Sequence, residues 1–437
     1  MSSNMSGPGI VVVGAGFAGY QAARKLSRLS RGAAEIVLVN PTDYFLYVPL
    51  LPEVAAGILD PRRVCVSLSR TLPGVKLVLG EVDAIDLAGR RLEYVDPDGA
   101  RGAMGYSRLV IAVGSVNKLL PIPGVAEHAH GFRGLPEALY LRDHLIRQIK
   151  LADTADDPHE RDARCTFIVV GAGYTGTEVA GHGVLLTAAL AKRHPQLGLR
   201  PRWLLLDVAP RVLPELDERL SNTADHVLRA RGVEVRTGTS VKEATPDGVY
   251  LNDGSFVPTR SLIWCVGVRP DPLIAALGLP TDKGRLVVDE YLTVPGHPDV
   301  YACGDAAAVP DLTKPGQTTT MTAQHAVRQG KLAAHNVAAS YGHGIRRPYK
   351  HRELGFVVDL GGMQSAANPL GVPMSGIAAK TVTRSYHLLA MPGNRVRVAT
   401  EWLLEAVLPR QDVQLGLIRA PAVPLDTASP ELPRVGR

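Results

Sequence analysis

The chain has 437 residues, 46 % apolar and 21 % charged, with a net charge of +6. That length is too great for one ordinary core, so two or three globular domains are expected. The composition argues against several classes: no run of 18 apolar residues offers a membrane-spanning helix, MSSNMSGPG does not read as a signal peptide, and the four cysteines (65, 165, 265, 303) form no CxxC and suggest no disulfide framework or metal cluster.

In chain order, Ile10 to Val13 is a β-branched run that reads as a buried parallel strand. G-x-G-x-x-G follows at Gly14, Gly16 and Gly19, and Phe17 and Ala18 open a helix with Ala22, Leu26 and Leu29 on one stripe. In such a loop the first glycine permits the tight turn, the second lets backbone touch a pyrophosphate, and the third lets helix and strand pack closely. The helix N-terminus then offers N–H groups to the phosphates. The next strand ends at Asn40, where a dinucleotide fold usually carries an acid for the adenosine ribose. An amide can still bond a ribose; a plain turn residue before Pro41 is the alternative. Tyr106 to Ser115 is a strand ending in a small-residue turn at Ala112 and Gly114.

The same sentence then returns. Phe167 to Val170 is a strand, Gly171, Gly173 and Gly176 repeat the loop, and Tyr174 and Thr175 open the helix. Trp203 to Leu206 leads to Asp207, a carboxylate suited to ribose hydroxyls and hostile to a 2′-phosphate, which points to NADH; Arg211 close by weighs the other way. Arg260 to Pro272 repeats the strand and turn, here at Gly267. Val300 to Ala302 ends at Gly304 and Asp305, an acid that either binds a ribityl hydroxyl of FAD or caps a helix. One GxGxxG is weak evidence; two, each between strand and helix, imply two dinucleotides. The economical arrangement is resident FAD in the first site and a nicotinamide visiting the second, with hydride passing between stacked rings.

Beyond about Ser340 the dinucleotide pattern stops. Residues 351–376 read as strands of a small sheet. Two helical stretches follow. One sets Lys380, Arg384 and His387 on one stripe and Ala378, Val382, Tyr386 and Leu389 on another. The second, capped by Asn394 and ended by Pro409, sets Arg397, Glu401 and Glu405 opposite Val398, Trp402, Leu403 and Ala406. Such a pair can lie in a membrane interface or pack as an ordinary hairpin on the body or on a second copy of the chain. The Pro-rich tail after Leu417 reads as disordered.

With these residues in view, the chain resembles the FAD-dependent pyridine nucleotide oxidoreductases and, within them, the type II NADH dehydrogenases, single-subunit NADH:quinone oxidoreductases that pump no protons. The narrower resemblance rests on three stretches. DYFLYVPLLPEVAAGILDP, with Pro49 and Leu50, is similar to the segment that lies against the flavin. GYTGTEVAG places Glu178 where the family holds an acid near nicotinamide and flavin. TAQHAVRQGKLAAHNV, with Ala323 and Gln324, resembles the flavin- and quinone-contacting helix. Asn40 departs from the pattern, and so does Arg328, which stands where many members have a second Gln. Arg328 is one helical turn from Gln324, so the two can face one pocket and address a quinone carbonyl or a carboxylate-bearing acceptor. Disulfide reductases need a Cys pair beside the flavin, and the first domain has only Cys65. Sulfide:quinone reductases need a C-terminal cysteine, and none follows Cys303.

The expectations are therefore an α/β fold with two Rossmann-like domains and a small C-terminal α+β region. FAD binds at 1–125 and 295–340, NADH at 126–294, and the C-terminal region is 341–437. Hydride is expected to pass from NADH to FAD and two electrons from there to quinone. Glu178, Gln324 and Arg328 are the candidate catalytic groups, and no metal is implied. A peripheral place on the inner face of the cell membrane is implied, with a homodimer as a further candidate and no nucleic-acid partner. The rival readings are a soluble NAD(P)H diaphorase with a non-quinone acceptor and a non-catalytic nucleotide-binding flavoprotein.

Overall fold

The computed structural model describes residues 9–30, 34–195, 198–351 and 354–425. Its chain forms two compact units, each assembled from three separate stretches. The first holds residues up to Leu46, Cys65–Val116 and Arg269–Arg352; the second holds Tyr47–Val64, Asn117–Val268 and the chain from Glu353 onward.

In the first unit the strand order is Thr293–Val294, His297–Ala302, Arg108–Ile111, Ile10–Val13, Ile36–Asn40, Lys76–Leu79. All neighbours pair parallel except Thr293–Val294 with its partner. Ile10–Val13 and Ile36–Asn40 are buried along their whole length, so both faces of these strands are covered, which is why they read as unbroken apolar runs. Strand order reverses at Ile10–Val13, which places the first glycine loop at the switch point where open α/β sheets bind ligands.

The second unit repeats the plan. Its parallel strands run Ala129–Gly131, Ser261–Trp264, Thr166–Val170, Arg202–Asp207, Val233–Thr237, and the reversal falls at Thr166–Val170, ahead of the second glycine loop. The duplication extends further than the motifs. Each unit carries a three-stranded antiparallel meander, at 81–105 in one and 241–258 in the other.

The units cut the chain differently from the division expected on sequence. Tyr47–Val64, with Pro49 and Leu50, belongs to the second unit, and so does the C-terminal region. The reason is local packing. Gly181 of the second glycine-loop helix has no side chain, so a Cβ there would lie 2.6 Å from the Leu360 carbonyl oxygen; the small sheet of Val357–Asp359, Ser365–Ala367 and Met374–Ser375 can therefore press on that helix. Arg231 clamps it further, bonding the carbonyls of Leu360 and Gly361.

Two C-terminal details correct the sequence reading. Chain beyond Leu417 is ordered as far as 425: Asp143 accepts the N–H groups of Leu415 and Gly416, and Val423 and Leu425 are buried, Leu425 within the core of the second sheet. The last residues, 426–437, lie outside the described residues. Asn394 occupies the cap position of the Arg395–Val407 helix but makes no side-chain cap bond; its amide instead donates to the carbonyls of Arg62 and Arg63.

Candidate active site

The two glycine loops have the same geometry. Gly14 and Gly171 sit at φ +91° and +102°, a region costly for any residue with a Cβ. A Cβ on Gly14 would lie 2.5 Å from the Ala112 carbonyl oxygen, and one on Gly171 would strike that of Cys265. Side chains on Gly19 or Gly176 would run into the carbonyls of Gly14 and Gly171. Beside Gly16 and Gly173, by contrast, nothing lies within 4 Å of a built Cβ. Turn, close packing and open approach thus fall on the first, third and second glycines, which fits a pyrophosphate at each loop. Phe17 and Ala18 open the Phe17–Ser30 helix, and Tyr174 and Thr175 the Tyr174–Ala191 helix, aiming helix N-termini at the loops.

Asn40 and Asp207 end the second strand of their sheets. The Ala15 N–H donates to Asn40 Oδ1 at 2.7 Å, and the Ala172 N–H to Asp207 Oδ2 at 2.5 Å. The remaining atoms are also engaged: Asn40 Nδ2 donates to the Thr42 carbonyl at 2.9 Å, and the Ala209 N–H donates to Asp207 Oδ1 at 2.7 Å. Each side chain staples strand end to glycine loop; the Asp207 carboxylate has lone pairs to spare, and the Asn40 amide spends its donor on Thr42.

The turns after the next strands are also alike: Gly114 and Gly267 have positive φ, and open space lies where a side chain would be. Ala112 N–H bonds Val13 and so carries its turn against the first glycine loop. Gly304 and Asp305 lie in a single helical turn after His297–Ala302. Ser115 Oγ donates to Asp305 Oδ2 at 2.6 Å, and the Gly304 N–H donates to Gln329 Oε1 at 2.8 Å.

Gln329 belongs to the Ala323–Ser340 helix, capped by Thr322, which lies on the first glycine-loop helix. Gly330 makes this possible, because any Cβ there would strike the Ala18 backbone. The register puts Ala323, Gln324 and Arg328 at the start of the helix. Arg328 Nη1 lies 3.4 Å from Gln324 Oε1 and 2.9 Å from His351 Nδ1. His325 is buried and bonds the Tyr349 hydroxyl at 2.8 Å, with the His351 ring 4.0 Å from its own. Sequence spacing brought Gln324 and Arg328 together; Tyr349 and His351 come from beyond the helix and carried no signal.

Within the second unit, Pro49 and Leu50 form one helical turn, and the short Leu51–Ala55 helix presents Glu53. Around it lies a buried ionic cluster that sequence reading missed. Lys380 Nζ is 2.5 Å from Asp359 Oδ2 and 3.9 Å from Glu53 Oε1, and His182 Nε2 is 3.5 Å from Asp359 Oδ1. Trp402 Nε1 donates to Glu53 Oε2 at 2.5 Å, and the Asp359 N–H donates to Glu178 Oε1 at 2.9 Å. The oxygens and nitrogen of Glu53, Asp359 and His182 converge within 4.8 Å, with the Lys380 ammonium as their cation. Burial pushes the Glu53 carboxyl up to about 7, helped by the Asp359 charge and opposed by Lys380. Burial also lifts Glu178 well above the ordinary carboxylate range; the Asp359 N–H opposes, and the charges of Asp359 and Glu53 add. For Asp359 burial acts upward too, but His182 and Lys380 outweigh it and hold the carboxyl low. Near by, His387 bonds the Tyr47 hydroxyl at 3.1 Å, and burial holds its imidazole down to about 4.

The Gly376–Ala390 helix is oriented opposite to simple amphipathic packing, and the Arg395–Val407 helix buries only part of its apolar stripe. Lys380, Thr383 and His387 are buried, whereas Ile377 and Leu389 stand 62 % and 75 % exposed. On the next helix Val398 and Trp402 are buried, and Val396, Leu403 and Val407 stand 79 %, 66 % and 75 % exposed. Among the described residues no helix is long and apolar enough to cross a membrane.

Residues 8–330 match the pyridine nucleotide-disulphide oxidoreductase family. The chain is 31 % identical to a type II NADH:quinone oxidoreductase of Mycobacterium tuberculosis over 90 % of its length and 86 % of the relative's. It is 30 % identical to the demethylphylloquinone reductase of Synechocystis, over 91 % and 96 %. Among solved structures, NDH2 of Plasmodium falciparum in complex with NADH shares the fold at TM-score 0.85 and 18 % identity, over 93 % of this chain and 99 % of that one. With two glycine cradles on one chain and no cysteine pair among its free cysteines, the chain belongs to the pyridine nucleotide-disulphide oxidoreductases and, within them, to the type II NADH:quinone oxidoreductases.

Proposed function

We propose that this chain oxidises NADH through a resident FAD and reduces a quinone without pumping protons. The observation that carries the reading is the pair of cradles in which the second glycine, Gly16 or Gly173, opens onto free space while the first and third are closed by backbone. FAD, when bound, accepts hydride and passes on an electron pair. The chain's own task is to bind, align and manage protons.

Gly14, Gly16 and Gly19, with the Phe17–Ala18 helix start, hold the FAD pyrophosphate in this reading. Asn40 orders that loop, Ala112 and Gly114 border it, and Asp305, fixed by Ser115, meets the ribityl chain. Pro49, Leu50, Ala323 and Gln324 cover the flavin. The NADH cradle is Gly171, Gly173 and Gly176 with Tyr174 and Thr175, bordered by Gly267; Asp207 takes the ribose hydroxyls. Burial raises the Glu178 carboxyl well above the ordinary carboxylate range, which favours its neutral form, and a neutral carboxyl orients a carboxamide without adding a charge. Gln324 and Arg328 donate to a quinone carbonyl, with His351 steadying the guanidinium. The FAD domain of this reading is the first unit and the NADH domain the second.

The outward Ile377, Leu389, Val396, Leu403 and Val407, beside a basic net charge, support docking on the inner face of the cell membrane. A second copy of the chain is the competing cover for that face, giving a homodimer.

One cuvette tests the reading. Purified protein should be yellow, bleach on anaerobic NADH, and recolour when a menaquinone or ubiquinone analogue is added. Bleaching without recolouring by any quinone would leave a diaphorase. No bleaching at all would leave a non-catalytic flavoprotein.

A further inference from the structure

The Ala323–Ser340 helix carries a cation that no acid balances. Arg328 is half-buried, and its Nη1 lies 2.9 Å from His351 Nδ1 and 3.4 Å from Gln324 Oε1. A guanidinium only donates, so both partners accept from it, and neither bond brings a negative charge. Among the described residues Arg328 makes no ion pair, and neither do Arg24, Lys25, Arg28 or Lys331; on the segment that follows, Arg346 is taken by Asp289 at 3.4 Å.

The imbalance begins in the sequence. No Asp or Glu stands before Glu35 or between Asp311 and Glu353, so neither the Phe17–Ser30 helix nor the Ala323–Ser340 helix holds an acid. Helical spacing sets Arg328, Lys331 and His335 on one face. Gly330, where a Cβ would strike the Ala18 backbone, brings the two helices close enough for their cations to meet. Burial lowers the Lys331 ammonium, and the charges of Arg24, Arg328 and Lys25 lower it further. His335 is lowered by burial and then by Lys25 and Arg347. Buried Asn336 clamps the Arg347 backbone to the helix: its Oδ1 accepts the Arg347 N–H at 2.9 Å, and its Nδ2 donates to the Arg347 carbonyl at 3.0 Å. Asp311, at the edge of the acid-free stretch, accepts from the Thr313 N–H and hydroxyl. Crowded like charges raise the free energy of the site, and a bound anion relieves them.

We propose, on the reaction given above, that the acceptor is an anionic quinone, with an acid group on the ring carbon beside the carbonyl that Gln324 and Arg328 address. Such a substituent sets one of its oxygens next to the carbonyl oxygen. A planar guanidinium fork meets two acceptors placed side by side, whereas a glutamine amide offers a single nitrogen and no charge. Arg24, Lys25 and Lys331 draw the anion toward the helix. NADH, one proton and the quinone give NAD⁺ and the quinol; the acid group passes through unchanged. Arg328 thus sets which quinones are taken.

The test uses the full-length flavoprotein, NADH and two acceptors: menadione, and a naphthoquinone sulfonate that carries its acid group where menadione carries its methyl. The two differ in intrinsic reactivity, so the readout is how the ratio of their kcat/KM values moves. In Arg328→Gln the ratio of sulfonate to menadione should fall about tenfold or more, the loss expected for a charge-assisted bond. Raising salt from about 20 to about 300 mM should lower kcat/KM several-fold for the sulfonate and much less for menadione. Arg24→Gln with Lys331→Gln should flatten that salt dependence, and decides the matter should Arg328→Gln fail to fold. A ratio unmoved in Arg328→Gln, equal salt responses for the two quinones, or a salt response unchanged in the double variant overturns the proposal and leaves a neutral quinone as the acceptor. A wild type that bleaches with NADH and reduces neither quinone instead overturns the parent reaction.

Discussion

Asn40 and Asp207 do the same structural job in the two units: each ends the second strand, and each accepts the N–H of the alanine between the first two glycines, Ala15 or Ala172. What differs is the charge. The amide suffices to hold the loop, so the carboxylate of Asp207 is available for a second purpose, and the two roles can be separated by mutation.

Asp207→Asn should keep the bond from Ala172, as Asn40 keeps that from Ala15, give up the one from Ala209 at a modest cost in stability, and lose the charge proposed to meet the ribose. KM for NADH should rise about tenfold, the value of roughly 1.4 kcal/mol of binding. FAD content should stay full, and discrimination against NADPH should narrow. Asp207→Ala should add a stability loss of about 2–3 kcal/mol, since two N–H groups lose a charged acceptor. Steady-state kinetics with both nucleotides and thermal melts check this; loss of FAD instead would mean the two sites are interchanged.

The glycines separate binding from folding in the same way. Gly173→Ala has open space and should fold, yet it places a methyl where a pyrophosphate approaches, so NADH binding should weaken at least about tenfold. Gly176→Ala meets the Gly171 carbonyl and should fail to accumulate as soluble protein. Equal behaviour of the two variants would remove the argument for the cradle.

Gln324→Ala and Arg328→Ala should slow quinone reduction more than flavin bleaching, by about 10- to 100-fold against less than about threefold. Stopped-flow measurement of each half-reaction decides. Equal losses in both would place these residues at the flavin and not at the acceptor.

The buried carboxyl also has a stability signature. Glu53 is raised in the folded protein to about 7 from an ordinary 4.5, so its protonated form is favoured by folding. That stability is fully present below about pH 4.5 and is lost as pH rises toward 7. Glu53→Gln should therefore melt like wild type at acid pH and become more stable than it on the alkaline side, by on the order of 2–3 kcal/mol. Asp359 works the other way, its contribution being lost as pH falls. A constant offset between the two melting curves at every pH would show that Glu53 does not titrate in this range.

Leu403→Glu with Val407→Glu should leave turnover on a water-soluble quinone unchanged, since both side chains point outward. Liposome binding should drop by about 100-fold or more, given roughly 1.5–3 kcal/mol for each buried apolar side chain. Sedimentation with anionic vesicles checks it. Unchanged binding together with altered oligomer size would assign that face to a second copy.

Local repetition made much of this legible. Strands buried on both faces show as runs such as IVVV and FIVV, and a glycine loop is legible because three backbone constraints fall on fixed spacings. Gln324 and Arg328 were legible because one helical turn relates them. The Glu53–Lys380–Asp359–His182 cluster was not, because its members come from three helices and a strand far apart in the chain. The stripe of Lys380 and His387 even pointed the wrong way: a polar stripe on a helix ordinarily faces water, and here it faces other buried charges. The tail after Leu417 looked disordered because it is rich in Pro, yet Leu425 finds a place in a core built by strands over 150 residues earlier.

By itself, then, the amino-acid sequence determined the two dinucleotide cradles and the elements beside them, because turn, helix and strand preferences act within a few residues. Only the tertiary structure decided that the C-terminal segment closes on the second unit, which carboxyls burial pushes up and which helix faces stand bare. Those outcomes depend on burial and on the charges brought near, quantities that exist only once distant segments have met.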